Sequence, residues 1–143
     1  MPRSSAARRA RACIRSTTVR DAAASWLRAS SSSLRSAAVK RVLHNLLTNA
    51  LRHTPSDGAI AVVVSARPQA VTVAVEDSGV GLTDETVERM FERFWRADPA
   101  RSADGSGLGL AIAQGLVEAQ GGRIWAENRP EGGARVAFTL QRA

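Results

Sequence analysis

The sequence predicts an α/β fold, a two-layer sandwich in which a mixed, mostly antiparallel sheet is covered by three helices on one face. Two patterns support this class. Apolar residues recur at three- and four-residue spacing in long segments, as they do on helices that bury one face. Four β-rich runs form two pairs with short turns between them, as in hairpins. Because helices alternate with hairpins, in the order α-ββ-α-loop-α-ββ, the hairpins can share one sheet.

The first helix is predicted from a single apolar stripe that runs from Val39 to Leu51. Pro55 and the polar turn at 56–58 end it. No β-rich run precedes this helix, so residues 12–34 are expected to supply a poor edge strand for the sheet, or none. The polar side of the helix carries His44, Asn45, Thr48, Asn49, Arg52 and His53.

A hairpin and a short helix follow. The predicted strands are Ala59–Ala66 and Ala70–Glu76, joined by a tight connection. Thr83 is a plausible N-cap for a short helix that continues to about Phe94. Residues 97–106 are small and polar, and are expected to form a loop.

The last third of the chain combines a helix with a second hairpin. The helix is predicted from about Gly107 to Gln120, where a glycine pair stops it. The hairpin has predicted strands Arg123–Glu127 and Ala134–Gln141, with a turn at 130–133 that contains Pro and Gly.

Charge is distributed unevenly along the 143 residues. The formal charge is +7, but residues 1–40 hold nine basic residues and one acid, whereas residues 41–143 hold 11 basic residues and 12 acids. The basic excess therefore lies in a segment rich in Ser, Ala and Arg. We expect residues 1–36 to form a partly disordered basic arm and residues 37–143 to form the folded domain.

Several function classes are excluded or disfavoured by composition. Cys13 is the single cysteine, which excludes a disulfide framework and a cysteine-based zinc site and favours a reducing, cytoplasmic location. No apolar run approaches the ~20 residues of a membrane helix, so no membrane segment is expected. Trp26 is the only aromatic residue of the basic arm, so the arm offers no stacking platform and no nucleic-acid partner is expected.

The first candidate site lies on the polar side of the first helix. At three- and four-residue spacing, Asn45, Asn49 and Arg52 project together from one face. An Asn carbonyl is a suitable hard ligand for Mg²⁺, and Arg donates well to phosphate. The same residues also fit an ordinary solvated helix face.

The second candidate site is Asp77-Ser78-Gly79-Val80-Gly81, directly after a strand. The two glycines allow backbone to approach a ligand closely. An Asp at a strand end can accept a hydrogen bond from an exocyclic amine such as N6 of adenine. A strand-ending turn without a ligand is the alternative interpretation.

The third candidate site is Gly105-Ser106-Gly107-Leu108-Gly109, which leads into a helix. Free backbone N–H groups and the positive end of the helix dipole would face a bound anion there. The spacing matches neither the dinucleotide fingerprint nor a Walker P-loop. A flexible hinge before a helix remains the alternative.

An aromatic segment, Phe91-Glu92-Arg93-Phe94-Trp95-Arg96, precedes the polar loop. Its simplest interpretation is core packing that anchors the loop. Arg96, at its end, could reach phosphate groups and is a candidate catalytic residue.

Taken together, the motifs resemble a known family. The order of an Asn-rich helix, D-x-G-x-G, F-x-x-F and G-x-G-L-G-L is similar to the catalytic ATP-binding domain of sensor histidine kinases. The resemblance covers roughly residues 39–143 and extends to whole phrases such as NLLTNALRHTP, DSGVGL and GSGLGLAIAQGLVEAQGG. It implies the Bergerat-type ATP-binding fold shared by gyrase, heat-shock-90, histidine-kinase and MutL proteins.

The resemblance implies a role for each matching residue of the helix. Asn49 is expected to hold Mg²⁺ against the triphosphate of ATP, with Asn45 one turn before it. Arg52 is expected on the phosphates, and His53 replaces the family's usual aromatic residue near the ribose and adenine.

The loops receive roles in the same way. Asp77 is expected to read adenine, with Gly79 and Gly81 shaping the pocket. Residues 97–106 are expected to form a mobile lid over the phosphates. The resemblance assigns the closing segment to Gly105, Ser106, Gly107, Leu108 and Gly109.

Two departures bear on function. ATP-hydrolysing members of the superfamily carry a Glu general base at the position of Asn45, and an amide cannot take up a proton. His44 and His53 are the only histidines, both in the Asn-rich helix, and neither lies in a phosphoacceptor context. The sequence therefore predicts the catalytic half of a split two-component kinase, which phosphorylates a histidine on a partner protein and so acts indirectly on a response regulator. A non-catalytic nucleotide-binding module is the alternative.

Overall fold

The computed structural model describes residues 11–12, 33–98 and 106–141. Its three helices are α1 (Ser33–His53), α2 (Asp84–Arg89) and α3 (Gly109–Ala119). Its strands are β1 (Arg11–Ala12), β2 (Ala59–Ala66), β3 (Ala70–Asp77), β4 (Arg123–Asn128) and β5 (Ala134–Gln141). The predicted two-layer α/β class is confirmed by this arrangement.

The strands form one mixed sheet with the order β1-β2-β3-β5-β4. Both predicted hairpins are present, β2 with β3 and β4 with β5, and each is antiparallel. The two hairpins are joined by antiparallel pairing of β3 with β5, which places Glu76 opposite Arg135. Because of this pairing, the end of β3 lies beside the start of β5, and Asp77 is therefore close to Ala134.

The core lies between one face of the sheet and helices α1 and α3. Alternating residues of the strands point into it because successive side chains of a strand face opposite sides. Helix α1 contributes the predicted apolar stripe except for its last residue, Leu51, which is 48% exposed. The most deeply buried side chains come from both layers and include Val42, Leu46, Val75, Val117 and Phe138.

Three boundaries differ from the predicted ones. Helix α1 begins at Ser33, before the first residue of its apolar stripe. Helix α3 begins at Gly109 and not at Gly107. Helix α2 ends at Arg89 and not near Phe94, because the chain turns at Met90 and Phe94 adopts a left-handed backbone with φ of 64°. The Thr83 cap is confirmed, since its side chain accepts a hydrogen bond from the Thr86 N–H at 3.1 Å.

The N-terminal part contributes one described strand. Arg11 and Ala12 pair in parallel with Ala59 and Ile60 and occupy the edge of the sheet beside β2. Otherwise the predicted basic arm falls outside the described residues up to the start of α1, as do Cys13 and Trp26. Among the described helices, none has both the length and the apolar character to span a membrane.

Candidate nucleotide site

The Asn-rich face of α1 packs against the start of α3. The side-chain amide of Asn45 donates to the carbonyl oxygen of Gly109 at 2.8 Å. Asn49, one turn along, is half-buried on the same face. The polar side of α1 therefore faces the neighbouring helix α3 as well as solvent.

The N-terminus of helix α3 lies at this junction. Leu108 is its N-cap, and among the described residues no side chain caps the helix and no acidic residue lies in its first turn. The first N–H groups of an α-helix have no partner within the helix, and together with the dipole they favour an anion. This end of α3 is therefore suited to phosphate groups, as its glycine motif predicts.

Asp77 is the second part of the site, at the end of β3. Its residue is 6% exposed, and one carboxylate oxygen, Oδ1, accepts from the N–H of Gly79 at 2.9 Å and from the N–H of Ala134 at 3.2 Å. Two backbone donors on one oxygen orient the carboxylate. A carboxylate oriented in this way has a second oxygen that can accept from a ligand, which is the chemistry required to read an exocyclic amine.

Gly79 and Gly81 are required by packing in this segment. A Cβ on Gly79 would overlap the carbonyl oxygen of His53, the last residue of α1. Gly81 has φ of 84°, and its added Cβ would lie 2.8 Å from Oδ1 of Asn128. The segment after β3 therefore lies directly against the end of α1, and the first two predicted parts of the site are brought together.

Arg52 and His53 end α1 and are both exposed. Positive charge in the last turn of a helix is favourable because it faces the negative end of the dipole. The backbone carbonyl of His53 lies against Gly79, so the end of α1 borders the Asp77 segment. The assignment of Arg52 to phosphate and of His53 to the ribose and adenine stays a prediction.

The glycine motif is described only from Ser106 onward, and Gly105 lies outside the described residues. Gly107 has φ of 70°, accepts a hydrogen bond from the Phe94 N–H at 2.9 Å, and leaves no room for a side chain beside the Phe94 backbone. Gly109 has more space, since its added Cβ would be 3.8 Å from Asn45. Gly107 thus ties the motif to the aromatic segment, while Gly109 faces the Asn-rich helix.

The aromatic segment is divided between core and surface. Phe91 and Trp95 pack against the core, as predicted, but Phe94 is 70% exposed. Arg96 is half-buried and lines a surface cleft with Arg89 and Glu92. Glu92 raises the pKa of Arg89 through a side-chain hydrogen bond. The catalytic role of Arg96 stays a prediction.

Residues of the second hairpin also support the site, which the motifs did not indicate. Arg129 Nη1 donates to the Asp77 carbonyl oxygen at 3.0 Å, and Asn128 exchanges two hydrogen bonds with the backbone of Leu82. In the sequence, these two residues are marked only by the Gly-rich turn that follows them. The sequence does not reveal that this turn lies beside Asp77, because that proximity depends on the pairing of β3 with β5.

The two-layer fold, the oriented carboxylate of Asp77 and the helix end at α3 are the features expected of a domain that binds a nucleoside triphosphate. The family model for histidine kinase-, DNA gyrase B- and HSP90-like ATPases matches residues 35–143. The chain belongs to this family, and its described part is an ATP-binding domain of the histidine-kinase type.

Relatives support this assignment. The chain is 46% identical over 102 residues to a sensor histidine kinase component, HK1, of Mycobacterium tuberculosis strain H37Rv, covering 71% of this chain and 60% of that protein. It is also 46% identical over 102 residues to a probable sensor histidine kinase, HK, of the CDC 1551 strain, covering 71% of this chain and 26% of that protein. Among solved structures, a mycobacterial sensor histidine kinase, MprB, superposes with a TM-score of 0.67 at 31% identity, covering 74% of this chain and 73% of that one. The chain spans less than two thirds of the length of either curated relative.

Proposed function

We propose that this chain binds Mg-ATP and transfers the γ-phosphate to a histidine on a separate partner protein. The observation that carries the proposal is the hydrogen bond from Asn45 to Gly109, which joins an amide-bearing helix to a helix N-terminus that no described side chain caps. This junction is suited to a triphosphate and its metal. The opposite side of the site offers the oriented carboxylate of Asp77 for the base.

The donor set fits Mg²⁺, although it is sparse. Amide oxygen is a hard ligand of the kind that Mg²⁺ accepts, and this ion usually takes one or two protein oxygens together with phosphate oxygens and water. Asn49 is the residue proposed to hold it. When bound, the ion would neutralise charge on the phosphates. Within the described residues no group of three or more His, Cys, Asp or Glu side chains could hold a metal without the nucleotide.

Catalysis by this site would rest on positioning. Asn45 offers an amide where a proton acceptor would be needed to activate water or a hydroxyl, so hydrolysis is disfavoured. The neutral imidazole of an incoming histidine is itself a nucleophile and needs less assistance. The residues of this chain then act by holding the phosphates in line and by stabilising their charge through the α3 N-terminus and Arg52, with Arg96 as a further candidate.

We propose that the phosphoryl group goes to a separate protein because neither histidine of this sequence lies in a phosphoacceptor context. His44 and His53 both lie on α1, where His53 borders the Asp77 segment. One relative supports such a division of labour, because it is named a component of a sensor histidine kinase. An alignment of 102 residues covers 60% of this component, HK1, but only 26% of the relative HK. HK1 is therefore less than half as long as HK. We further propose a response regulator as the final recipient of the phosphoryl group, and a cytoplasmic location.

The test is transfer of label to another chain. Purified protein with Mg²⁺ and ATP labelled at the γ-phosphate is mixed with each protein encoded beside its gene that carries a histidine on a predicted helical hairpin. We expect label on one of these proteins in an acid-labile, base-stable form, as expected of phosphohistidine. Asn49→Asp is the site variant and Gly115→Ala, on the exposed side of α3, is the matched control.

The alternative is a nucleotide-binding module without catalysis. The lack of a β-rich run ahead of α1 in the sequence favours it. Tight Mg-ATP binding together with no label on any neighbouring protein would support this alternative and contradict the kinase proposal.

A further inference from the structure

We propose that Asn128 and Arg129, at the end of β4 and the start of the β4–β5 turn (residues 129–133), are positioning residues for base recognition by Asp77. The inference rests on the proposed function, in which Asp77 reads adenine. It concerns residues that lie about 50 positions away in sequence and reach the site from the neighbouring hairpin.

Arg129 acts on the first residue of the segment. Its Nη1 donates to the carbonyl oxygen of Asp77 at 3.0 Å. The guanidinium is held on the other side by Glu76 at 3.7 Å and Glu131 at 3.7 Å, and its side chain is only 24% exposed. An Arg head with fixed partners is a rigid donor, because its planar fork is set by the bonds it already makes. Arg129 therefore fixes the backbone that carries the carboxylate.

Asn128 acts on the last residue of the segment. Its Oδ1 accepts from the Leu82 N–H at 2.7 Å and its Nδ2 donates to the Leu82 carbonyl at 2.8 Å. A side-chain amide that satisfies both backbone groups of one residue imitates a strand partner. The Asp77–Leu82 segment is thus attached to the second hairpin at both ends.

The turn itself brings these two side chains into register. Ala134 N–H donates to Asp77 Oδ1 at 3.2 Å, and a side chain on Gly133 would overlap the Asp77 carbonyl. The Arg129 N–H donates to the Gly133 carbonyl at 2.9 Å, which closes the turn. The carboxylate and its supporting residues consequently form one hydrogen-bonded unit.

Such support is expected to act on selectivity for the base. If the Asp77 backbone shifts, the carboxylate no longer meets the 6-amino group at hydrogen-bonding distance, whereas contacts with the phosphates at α3 are unaffected. ITP is the appropriate probe because it has a carbonyl in place of that amino group. Loss of positioning should therefore weaken ATP binding and leave ITP binding unchanged.

The experiment compares ATP and ITP dissociation constants, with Mg²⁺, for the full chain and four variants. Arg129→Ala removes the donor to Asp77, while Glu76 keeps Arg135 at 3.5 Å as a partner. Asn128→Asp keeps the acceptor for Leu82 and removes the donor. Arg129→Lys is the conservative variant. Arg123→Ala is the matched control, because Arg123 lies on the same strand and packs over Trp125.

We expect Arg129→Ala and Asn128→Asp to lower the ATP-to-ITP affinity ratio about tenfold, the effect of one lost hydrogen bond to a charged group. Arg129→Lys should restore part of the ratio, and Arg123→Ala should leave it unchanged. A thermal unfolding midpoint that falls while the ratio stays at the wild-type value would show a merely structural role and overturn the inference. If the wild-type chain binds ATP no better than ITP, base reading by Asp77 fails and the inference fails with it. If wild-type selectivity is present and both variants keep it, the inference alone is overturned.

Discussion

Replacing Asp77 by Asn is the substitution whose result the structure determines most closely. Oδ1 of Asp77 accepts two backbone N–H groups, from Gly79 and Ala134. An Asn side chain keeps these bonds only if its amide oxygen takes the place of Oδ1. The amide nitrogen then occupies the place of the second carboxylate oxygen and presents hydrogen-bond donors to the ligand. A site that accepted from an amine becomes one that donates to a carbonyl.

The expected size of the effect follows from the bonds involved. Loss of a hydrogen bond to a charged group costs ~1.5–3 kcal/mol, so ATP binding should weaken about 10- to 100-fold. ITP affinity should stay the same or rise. Asp77→Ala differs in kind, because it leaves two N–H donors without an acceptor at ~1–3 kcal/mol each and should lower the free energy of unfolding by ~2–6 kcal/mol.

Calorimetric titration with ATP and with ITP, at one fixed Mg²⁺ concentration, measures the base preference of Asp77→Asn. Urea denaturation of both variants measures the stability difference. Equal weakening of ATP and ITP by Asp77→Asn, or unchanged ATP affinity, would refute the assignment of Asp77 to the base. An Asp77→Ala variant as stable as wild type would refute the role of its carboxylate in holding the two backbone donors.

Four further substitutions test other parts of the site and fold. Gly133→Ala should lower the free energy of unfolding by about 3 kcal/mol or more, because the position has a positive φ and the new Cβ would overlap Asp77. Gly132→Ala has nothing within 4 Å of its Cβ and should lower the free energy of unfolding by only ~1–2 kcal/mol, from the positive φ alone. Equal losses for the two variants in urea titrations would contradict this packing. Gly115→Ala, in α3 with nothing within 4 Å of the added Cβ, should raise the unfolding free energy by ~0.5–1 kcal/mol, and a loss would show hidden crowding. Asn49→Asp should weaken Mg-ATP binding about tenfold, because a fixed anion repels the triphosphate and alters the metal geometry, and unchanged affinity by calorimetry would remove Asn49 from the metal site.

Local patterns were sufficient to predict most of the elements. The stripe of α1 and the two hairpins follow from apolar spacing and turn residues, which act within a few positions. The end of α2 could not be predicted in the same way, because the sequence pattern favours a helix up to Phe94 whereas tertiary packing ends it at Arg89. Phe91 and Trp95 turn into the core, and Gly107 from a distant loop fixes Phe94 in a left-handed conformation. Tertiary contacts of this kind leave no periodic signal.

The site shows the same division. Motif spacing indicated Asp77 and the Asn-rich helix as candidate site residues, since each motif carries its chemistry within a few residues. Arg129 and Asn128 were missed because their contribution depends on β5 lying beside β3, and two hairpins can join through either of their strands. Ion pairing of Glu76 with Arg135 across these strands, at 3.5 Å, accompanies the observed choice. When the strand pairing is unknown, the charged residues on two strands are compatible with several registers and do not identify one of them.

Hydrogen exchange with and without Mg-ATP would show whether three separate segments of the chain form one Mg-ATP site. We expect slower exchange in the C-terminal half of α1, in the Asp77–Leu82 segment and in the first turn of α3, with the centre of β4 unchanged. The same pattern should weaken selectively at Asp77–Leu82 when ITP replaces ATP. Protection confined to one of the three segments, or protection on β4 in their place, would show that the three segments do not form one site.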